Sequence, residues 1–312
     1  MNTPLSKIKS CTNRSDLALL LGVKPAALSY ILYKIPDENK YYSFSIPKRN
    51  GDQRQISAPI PALKMLQRRL SEHLYECLNE IEYLEAVDPQ CVVAHGFKKH
   101  LSIATNGSHH RSKRWVFNCD IEEFFSSINF GRVKGYFERN RHFQLQPEVA
   151  LVVAQICCHE GVLPQGAPTS PIISNLIGSI LDDRISRLAN ELRCTYTRYA
   201  DDLTFSTNMA HFPRQIAVAD EKSPSRWRIG DKLLSRVAQA GFRINHEKSR
   251  MAMPNSRQTV TGLTVNKTVN VATTYYKMTR AMCHHLFTTG SYSSGGLNDA
   301  PKGRELAALE GR

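Results

Sequence analysis

Acidic residues are under-represented in this 312-residue chain: 28 Asp and Glu stand against 41 Lys and Arg, a formal net charge of +13. No C-x-x-C pair occurs among the eight cysteines, which removes the usual sequence signature of a zinc site. No signal-peptide pattern opens the chain, so the thiols are expected to be reduced and the protein cytoplasmic. The longest apolar run, LALLLGV at residues 17–23, is far too short to span a bilayer. A basic amphipathic helix and a lipidation motif are also lacking, so no membrane partner is expected. There is neither an internal repeat nor a low-complexity segment. With 41% hydrophobic and 22% charged residues, the chain is not generally disordered and suits one or two domains with a sizeable core. The basic excess is dispersed along the chain, which favours a polyanionic partner, most often nucleic acid, through release of phosphate counterions.

Periodicity then divides the chain. RSDLALLLGVKPAALSYILYK, residues 14–34, reads as two short helices about a turn at Gly22. That is either a helix-turn-helix or two helices packed on a larger core. YYSFSIPKRNGDQRQISAP alternates on both sides of Asn50-Gly51, the strongest short-range hairpin signal. Leu63, Leu66, Leu70, Leu74 and Leu78 recur at helical spacing. In WVFNCDIE, Trp115, Phe117, Cys119 and Ile121 share one strand face, and Val116, Asn118, Asp120 and Glu122 share the other. A long helix is expected from Ser170-Pro171, with a hydroxyl N-cap and a proline at its first position. After residue 208 come a Pro- and charge-rich connection, a helix, short strands near 242–271 and a helix from Thr273.

Two adjacent aspartate pairs occur. In SILDDRISRL, Asp182 and Asp183 diverge by about 100° on a helix, where Arg184 or Arg187 can pair with them on a solvated face. In TYTRYADDLTF, Asp201 and Asp202 sit at the tip of a tight hairpin and can approach one point. Two carboxylates held that close raise a pKa unless cations offset their repulsion. Divalent metal is the economical answer, and Asp120, on the polar face of its strand, is the best third ligand. Glu122 and Glu123 are the rivals. Oxygen ligands of this kind suit two Mg²⁺ ions, with Mn²⁺ as a substitute, and such a site serves in-line phosphoryl or nucleotidyl transfer.

With these residues in hand, the chain resembles the reverse transcriptases, and among them the bacterial retron type. The resemblance runs over residues 40–285 as ordered blocks: IPKRNGDQRQISAP, AHGFKKHLSIATNGSHH, WVFNCDIEEFFSSI, LPQGAPTSPIISNL, YTRYADDLTFST, GFRINHEKSR and VTGLTVN. It implies an α+β right-hand polymerase fold. Residues 41–252 would form fingers and palm, after a helical extension over 1–40, with the palm end and a truncated thumb over 253–312. It implies an RNA-directed DNA polymerase with Asp120, Asp201 and Asp202 as catalytic residues and the same three, with Ile121, at the metal. Phe125 matches the position that excludes a ribonucleotide 2′-hydroxyl by clash, while Phe124 belongs to the core. Lys48 and Arg54 match triphosphate contacts, Gln165 a contact to incoming nucleotide or template, and Lys248 a proton donor to pyrophosphate.

Two blocks point to retrons. NGSHH, with Asn106 and His110, resembles the retron N-A-x-x-H block with Gly107 in place of alanine, and Val260-Thr261-Gly262 matches a triplet associated with the cognate RNA. The implied partners are that structured non-coding RNA (msr-msd), deoxynucleotides, the branched msDNA product primed from a guanosine 2′-hydroxyl, and an effector protein in anti-phage defence. The chain stops at Arg312 after LEGR, where family thumbs usually continue, as a shortened thumb or as a piece of a longer fusion. Two other readings compete. A non-catalytic nucleic-acid-binding regulator would incorporate no deoxynucleotides, and a group II intron-like maturase would need a further RNA-binding domain for which this length leaves no room.

Overall fold

Thr3 starts helix α1 (Pro4–Lys9) by accepting from the Ser6 amide, and Asn13 starts α2 (Arg14–Leu20) by accepting from Ser15 and Asp16. Gly22, at φ +64°, turns the chain through a bend of 111° into α3 (Pro25–Tyr33). The computed structural model describes residues 3–47, 51–86, 88, 91–220 and 227–289. Leu17, Ala18, Leu28, Ile31 and Leu32 join the same core as helix α4 (Pro61–Leu84), and Arg69 of α4 donates to the Leu21 carbonyl at 2.9 Å. Packing, the simpler of the two readings of this segment, is what these contacts show. Among the described residues no single helix is long and apolar enough to cross a membrane.

Strands β1 (Tyr41–Pro47) and β2 (Gln53–Pro59) pair antiparallel, with Tyr41 opposite Pro59 and Pro47 opposite Gln53. Residues 48–50, and with them the Asn50 of the turn signal, lie outside the described residues; Gly51 has φ +90°. The ribbon stands exposed along most of its length and is anchored at its base. There the buried Tyr41 hydroxyl accepts from Gln67 at 2.8 Å, and the Ser57 amide donates to the Gln165 carbonyl at 2.8 Å. On α4, Leu63, Leu66, Leu70 and Leu74 are buried as their spacing requires, each contributing about 2 kcal/mol by leaving water.

A four-stranded antiparallel sheet forms the centre, in the order β4 (Thr195–Tyr199), β5 (Asp202–Thr207), β3 (Trp115–Ile121), β8 (Ile244–Ala252). Alternation sends Phe117, Cys119, Ile121, Leu203, Phe205 and Tyr196 into the core. That core also contains residues of α6 (Phe130–Arg139), α7 (Pro147–Cys157), α8 (Ser170–Glu191) and α9 (Asp231–Gln239). Strands β6 (Ala217–Ala219) and β7 (Trp227–Ile229) form a short ribbon beside it. Helix α8 begins one residue earlier than expected: Thr169 is the N-cap, without a side-chain cap bond, and the Ser170 hydroxyl donates instead to the Pro164 carbonyl at 2.6 Å. The opposite, polar face of the sheet carries Val116, Asn118 and Asp120. Its Val116 end is covered by α5 (Ile103–Ser108) and by the ribbon of β9 (Thr259–Val260) and β10 (Leu263–Thr264), with Val116, Val260 and Val265 in a small separate cluster. The Asp120 end is left open. Helix α10 (Thr273–Thr289) follows, burying only Met282; of the segment 253–312 expected as palm end and thumb, residues 290–312 lie outside the described ones.

Candidate active site

The β4–β5 hairpin closes with Tyr199 opposite Asp202, so Ala200 and Asp201 make a two-residue turn. Ala200 has φ +55° and Asp201 does not share the sign, the pattern of a type II′ turn, whose first position ordinarily holds glycine. Across the next ladder Asp120 lies directly opposite Asp202, and the Ile121 amide donates to the Asp201 carbonyl at 2.9 Å. The Asp201 carboxyl, raised first by burial, lies within the field of both Asp120 and Asp202, whose charges raise it further. Three carboxylates from two distant segments therefore meet at the open end of the polar face.

Their electrostatics are unbalanced. Asp120 is only 5% exposed; its Oδ2 pairs with the Lys248 ammonium, and its Oδ1 is buried without any partner. Burial first, then the charges of Asp120 and Asp202, push Asp201 up to about 7. Asp202 is exposed on its outer edge, yet desolvation on its inner side raises it too, ahead of Asp120 and against the lowering by Arg250 and Lys248. Its hydrogen bond to Asp120 raises Lys248. With Lys248 on Asp120 Oδ2, no three carboxylate, imidazole or thiolate groups among the described residues are closed enough to grip a metal as they stand. The donor set nevertheless fits a hard divalent cation: oxygen ligands, an orphaned buried carboxylate oxygen, and crowding of buried carboxylates that raises Asp201 and that a cation would offset. The side chain of Ile121 lies in the core, which leaves only its main chain to join such a site. Glu122 and Glu123 are exposed and are not among the charges acting on Asp201 or Asp202, so the rival ligands stand apart.

Residues 46–271 match the reverse transcriptase (RNA-dependent DNA polymerase) family. The retron Ec86 reverse transcriptase of Escherichia coli is 31% identical over 88% of this chain and 78% of its own length. The chain belongs to the retron reverse transcriptases. The retron Mx162 and Mx65 reverse transcriptases of Myxococcus xanthus are 35% and 34% identical, over 80% and 86% of this chain. The chain spans 52% and 62% of the length of those two. A telomerase structure from Candida albicans in complex with a fragment of telomeric RNA overlays with a TM-score of 0.52 at 12% identity, over 88% of this chain and 56% of that one, a likeness of fold.

Around the retron chain's three aspartates the expected nucleotide contacts divide. Lys48 lies outside the described residues. Arg54 is exposed on β2. Gln165 is half-buried and holds β2 through its carbonyl, beside Gly166 at φ +121°, where an added Cβ would sit 2.9 Å from both Ile56 Cγ2 and the Ser57 carbonyl oxygen. Phe124 is in the core, stacked on Phe242 with centroids 5.7 Å apart, and Phe125 is half-buried with its ring 6.1 Å from that of Phe97. Lys248 is already on Asp120.

The two retron blocks meet each other. Asn106 Nδ2 donates to Thr261 Oγ1 at 3.5 Å, and Thr261 Oγ1 donates to the Ile103 carbonyl at 3.4 Å. His110 is fully buried between Ser206 Oγ and Thr197 Oγ1, both at 2.7 Å, which ties the end of α5 to the strands of the aspartate hairpin. This corrects the expectation that the whole set touches RNA: the side chains of Asn106, His110 and Val260 are inside the protein. Thr261 and Gly262 remain at the surface as a two-residue turn with φ +46° and +85°, a type I′ geometry.

Asp182 also departs from expectation. Instead of pairing with Arg184 or Arg187, it takes two hydrogen bonds from the wholly buried Arg198, Nε to Oδ1 at 2.8 Å and Nη2 to Oδ2 at 2.7 Å, and a third from the Tyr196 hydroxyl at 2.9 Å. Asp183 stays exposed. Reading the alternation of TYTRYADD inward would have found this, because Tyr196 and Arg198 share the face that meets Phe205 and Leu203, and an arginine placed there must have an acid.

Proposed function

We propose that this chain is an RNA-directed DNA polymerase that copies part of its own structured non-coding RNA (msr-msd) into branched msDNA. Priming would come from a guanosine 2′-hydroxyl, and the product would serve an anti-phage system together with an effector protein. The observation that carries this reading is the meeting of Asp120, Asp201 and Asp202 around a buried carboxylate oxygen that nothing satisfies. Residues 41–252 then act as fingers and palm and the following segment as palm end and thumb.

Asp120, Asp201 and Asp202, with the main chain of Ile121, would hold two Mg²⁺ ions, or Mn²⁺ in their place, and the chemistry supplied there would be activation of the attacking hydroxyl and charge compensation on the departing pyrophosphate. Lys248 releases Asp120 and carries a proton on Nζ that pyrophosphate can take. Phe125 fills the space of a 2′-hydroxyl and rejects ribonucleotides by clash. Lys48, Arg54 and Gln165 draw the triphosphate against the exposed β1–β2 ribbon. Thr261 and Gly262 meet the cognate RNA, with Asn106, His110 and Val260 as the support beneath them.

The test is DNA synthesis by purified protein on its co-purified RNA with Mg²⁺ and deoxynucleotides, read by sequencing the branched product. Asp201→Asn or Asp202→Asn should abolish synthesis while RNA binding survives. Full synthesis by either variant overturns the mechanism. Wild-type protein that binds RNA and incorporates nothing favours the non-catalytic regulator.

A further inference from the structure

The aspartate turn is held from behind. Arg198, the residue two before Ala200, points into the protein and is 0% exposed. Its guanidinium is fixed in plane by the two bonds to Asp182 of α8, and the remaining nitrogen, Nη1, donates to the Ala200 carbonyl at 3.1 Å. The same Nη1 is 3.5 Å from Asn175 Oδ1, and Asn175 Nδ2 donates to the Gly96 carbonyl at 2.8 Å. Gly96 lies so close under the turn that a Cβ there would be 2.6 Å from the Ala200 amide nitrogen. Gly178 of α8 makes room on the other side, since its Cβ would be 2.8 Å from Arg198 Nη2. Helix α8, the 95–97 segment and the turn thus converge on one cation.

Ala200 needs such a partner. A non-glycine residue at φ +55° is disfavoured by roughly 1–2 kcal/mol, so the turn would relax if nothing held its carbonyl. A carbonyl rotation at Ala200 would swing the Asp201 and Asp202 carboxylates away from Asp120. A buried arginine with one acid costs several kcal/mol of desolvation, which the bond from its third nitrogen to the Ala200 carbonyl helps to offset.

The geometry points to Arg198 as a positioning residue for the metal-binding turn, with Asp182 as the acid that aims it. It rests on the metal-dependent function proposed above. Arg198 does not touch substrate; it fixes the backbone that presents Asp201 and Asp202. Lysine at this position offers a single ammonium in place of the planar fork whose separate nitrogens serve Asp182 and the Ala200 carbonyl.

The experiment compares wild type, Arg198→Lys and Asp182→Asn, using Mn²⁺ alone as the probe, read by electron paramagnetic resonance without nucleotide. Amide exchange across residues 199–203 and the Mg²⁺ dependence of synthesis are measured beside it. Arg198→Lys should weaken Mn²⁺ binding roughly 10-fold, as losing an outer support of metal ligands commonly does, and speed exchange in the turn while α8 keeps its protection. Asp182→Asn should move the same readouts in the same direction by less. Folded variants with wild-type Mn²⁺ affinity and turn exchange overturn the assignment while leaving the polymerase reading intact. Loss of the whole fold in both variants also overturns it, by making the pair a support of the core and not of the turn. Wild-type protein that makes no DNA with Mg²⁺ overturns the function on which it rests.

Discussion

Substituting Gly166 by alanine should lift the β1–β2 ribbon off the centre of the molecule without unfolding that centre. The new methyl would stand 2.9 Å from the Ser57 carbonyl oxygen and 2.9 Å from Ile56 Cγ2, and the first of these is backbone that cannot turn aside. A side chain at φ +121° adds about 1–3 kcal/mol of strain. The Ser57 to Gln165 hydrogen bond, worth about 1 kcal/mol, favours the docked ribbon in wild type and variant alike, so the shift comes from the strain and the clash. The ribbon is exposed along most of its length and anchored at its base, so moving β2 costs less than breaking the core under α4. A shift of about 2 kcal/mol changes the docked-to-lifted ratio by roughly 30-fold. The assay is amide exchange over residues 53–59, with the deoxynucleotide KM measured at saturating template. Exchange should accelerate by about that factor and KM should rise with little change in Tm. Unchanged exchange and KM would refute the reasoning, as would a large drop in Tm with the ribbon still protected.

Asp201→Asn should stabilise the metal-free protein at pH 8 while abolishing synthesis. Because burial and two neighbouring aspartates hold the folded carboxyl near 7, well above its unfolded value, stability falls as pH rises from about 4 to 7; the asparagine removes that loss, an order of about 1–3 kcal/mol, measurable by urea melts in chelator. In that variant the opposite slope of the histidines is exposed. Burial first, then His109, lowers His110 to about 3 and His95 to about 4, so the unfolded chain gains protons below pH 6.5 that the folded chain refuses. The histidine contribution is constant above pH 6.5 and below it removes at most about 1.4 kcal/mol per pH unit for each ring; the check is the change in the pH 5–6.5 slope when His110 is replaced by Asn, and an unchanged slope would contradict its burial as a neutral ring. Gly107→Ala should stabilise by about 0.5–1 kcal/mol, since its Cβ meets Val265 Cγ1 at 3.4 Å and Val269 Cγ1 at 3.5 Å, ordinary contacts, and glycine is costly in a helix. A lower urea midpoint would show that the small cluster cannot take the methyl.

What local pattern encodes was legible in the sequence. Strict alternation in WVFNCDIE assigned Asp120 to the polar face, and the hairpin was legible from the strand pattern, although its tip, read at Asp201-Asp202, falls one residue earlier at Ala200-Asp201. Leucine spacing placed α4. What stayed hidden depends on partners far away in sequence. Nothing near Asp182 announces Arg198, because the two meet only when a strand packs across a helix, and the nearer Arg184 and Arg187 offered a plausible local pairing. Likewise Val116 sits on a polar face, and only the arrival of Val260 and Val265 from the β9–β10 ribbon explains why that face carries a valine. The polar residues Asn106 and His110 read as surface contacts because their partners, Thr261, Thr197 and Ser206, belong to three other segments.

The meeting of α5 with the β9–β10 ribbon has a practical consequence for anyone building chimeras. Gly107 is fitted to Val265 and Val269, Asn106 to Thr261, and the Ser112 amide donates to the Val265 carbonyl at 3.0 Å. A graft of the ribbon alone would leave half of a matched seam behind. Residues 103–112 and 259–269 therefore have to be transplanted as one cassette, with His110 kept as the peg that seats it on the recipient's sheet.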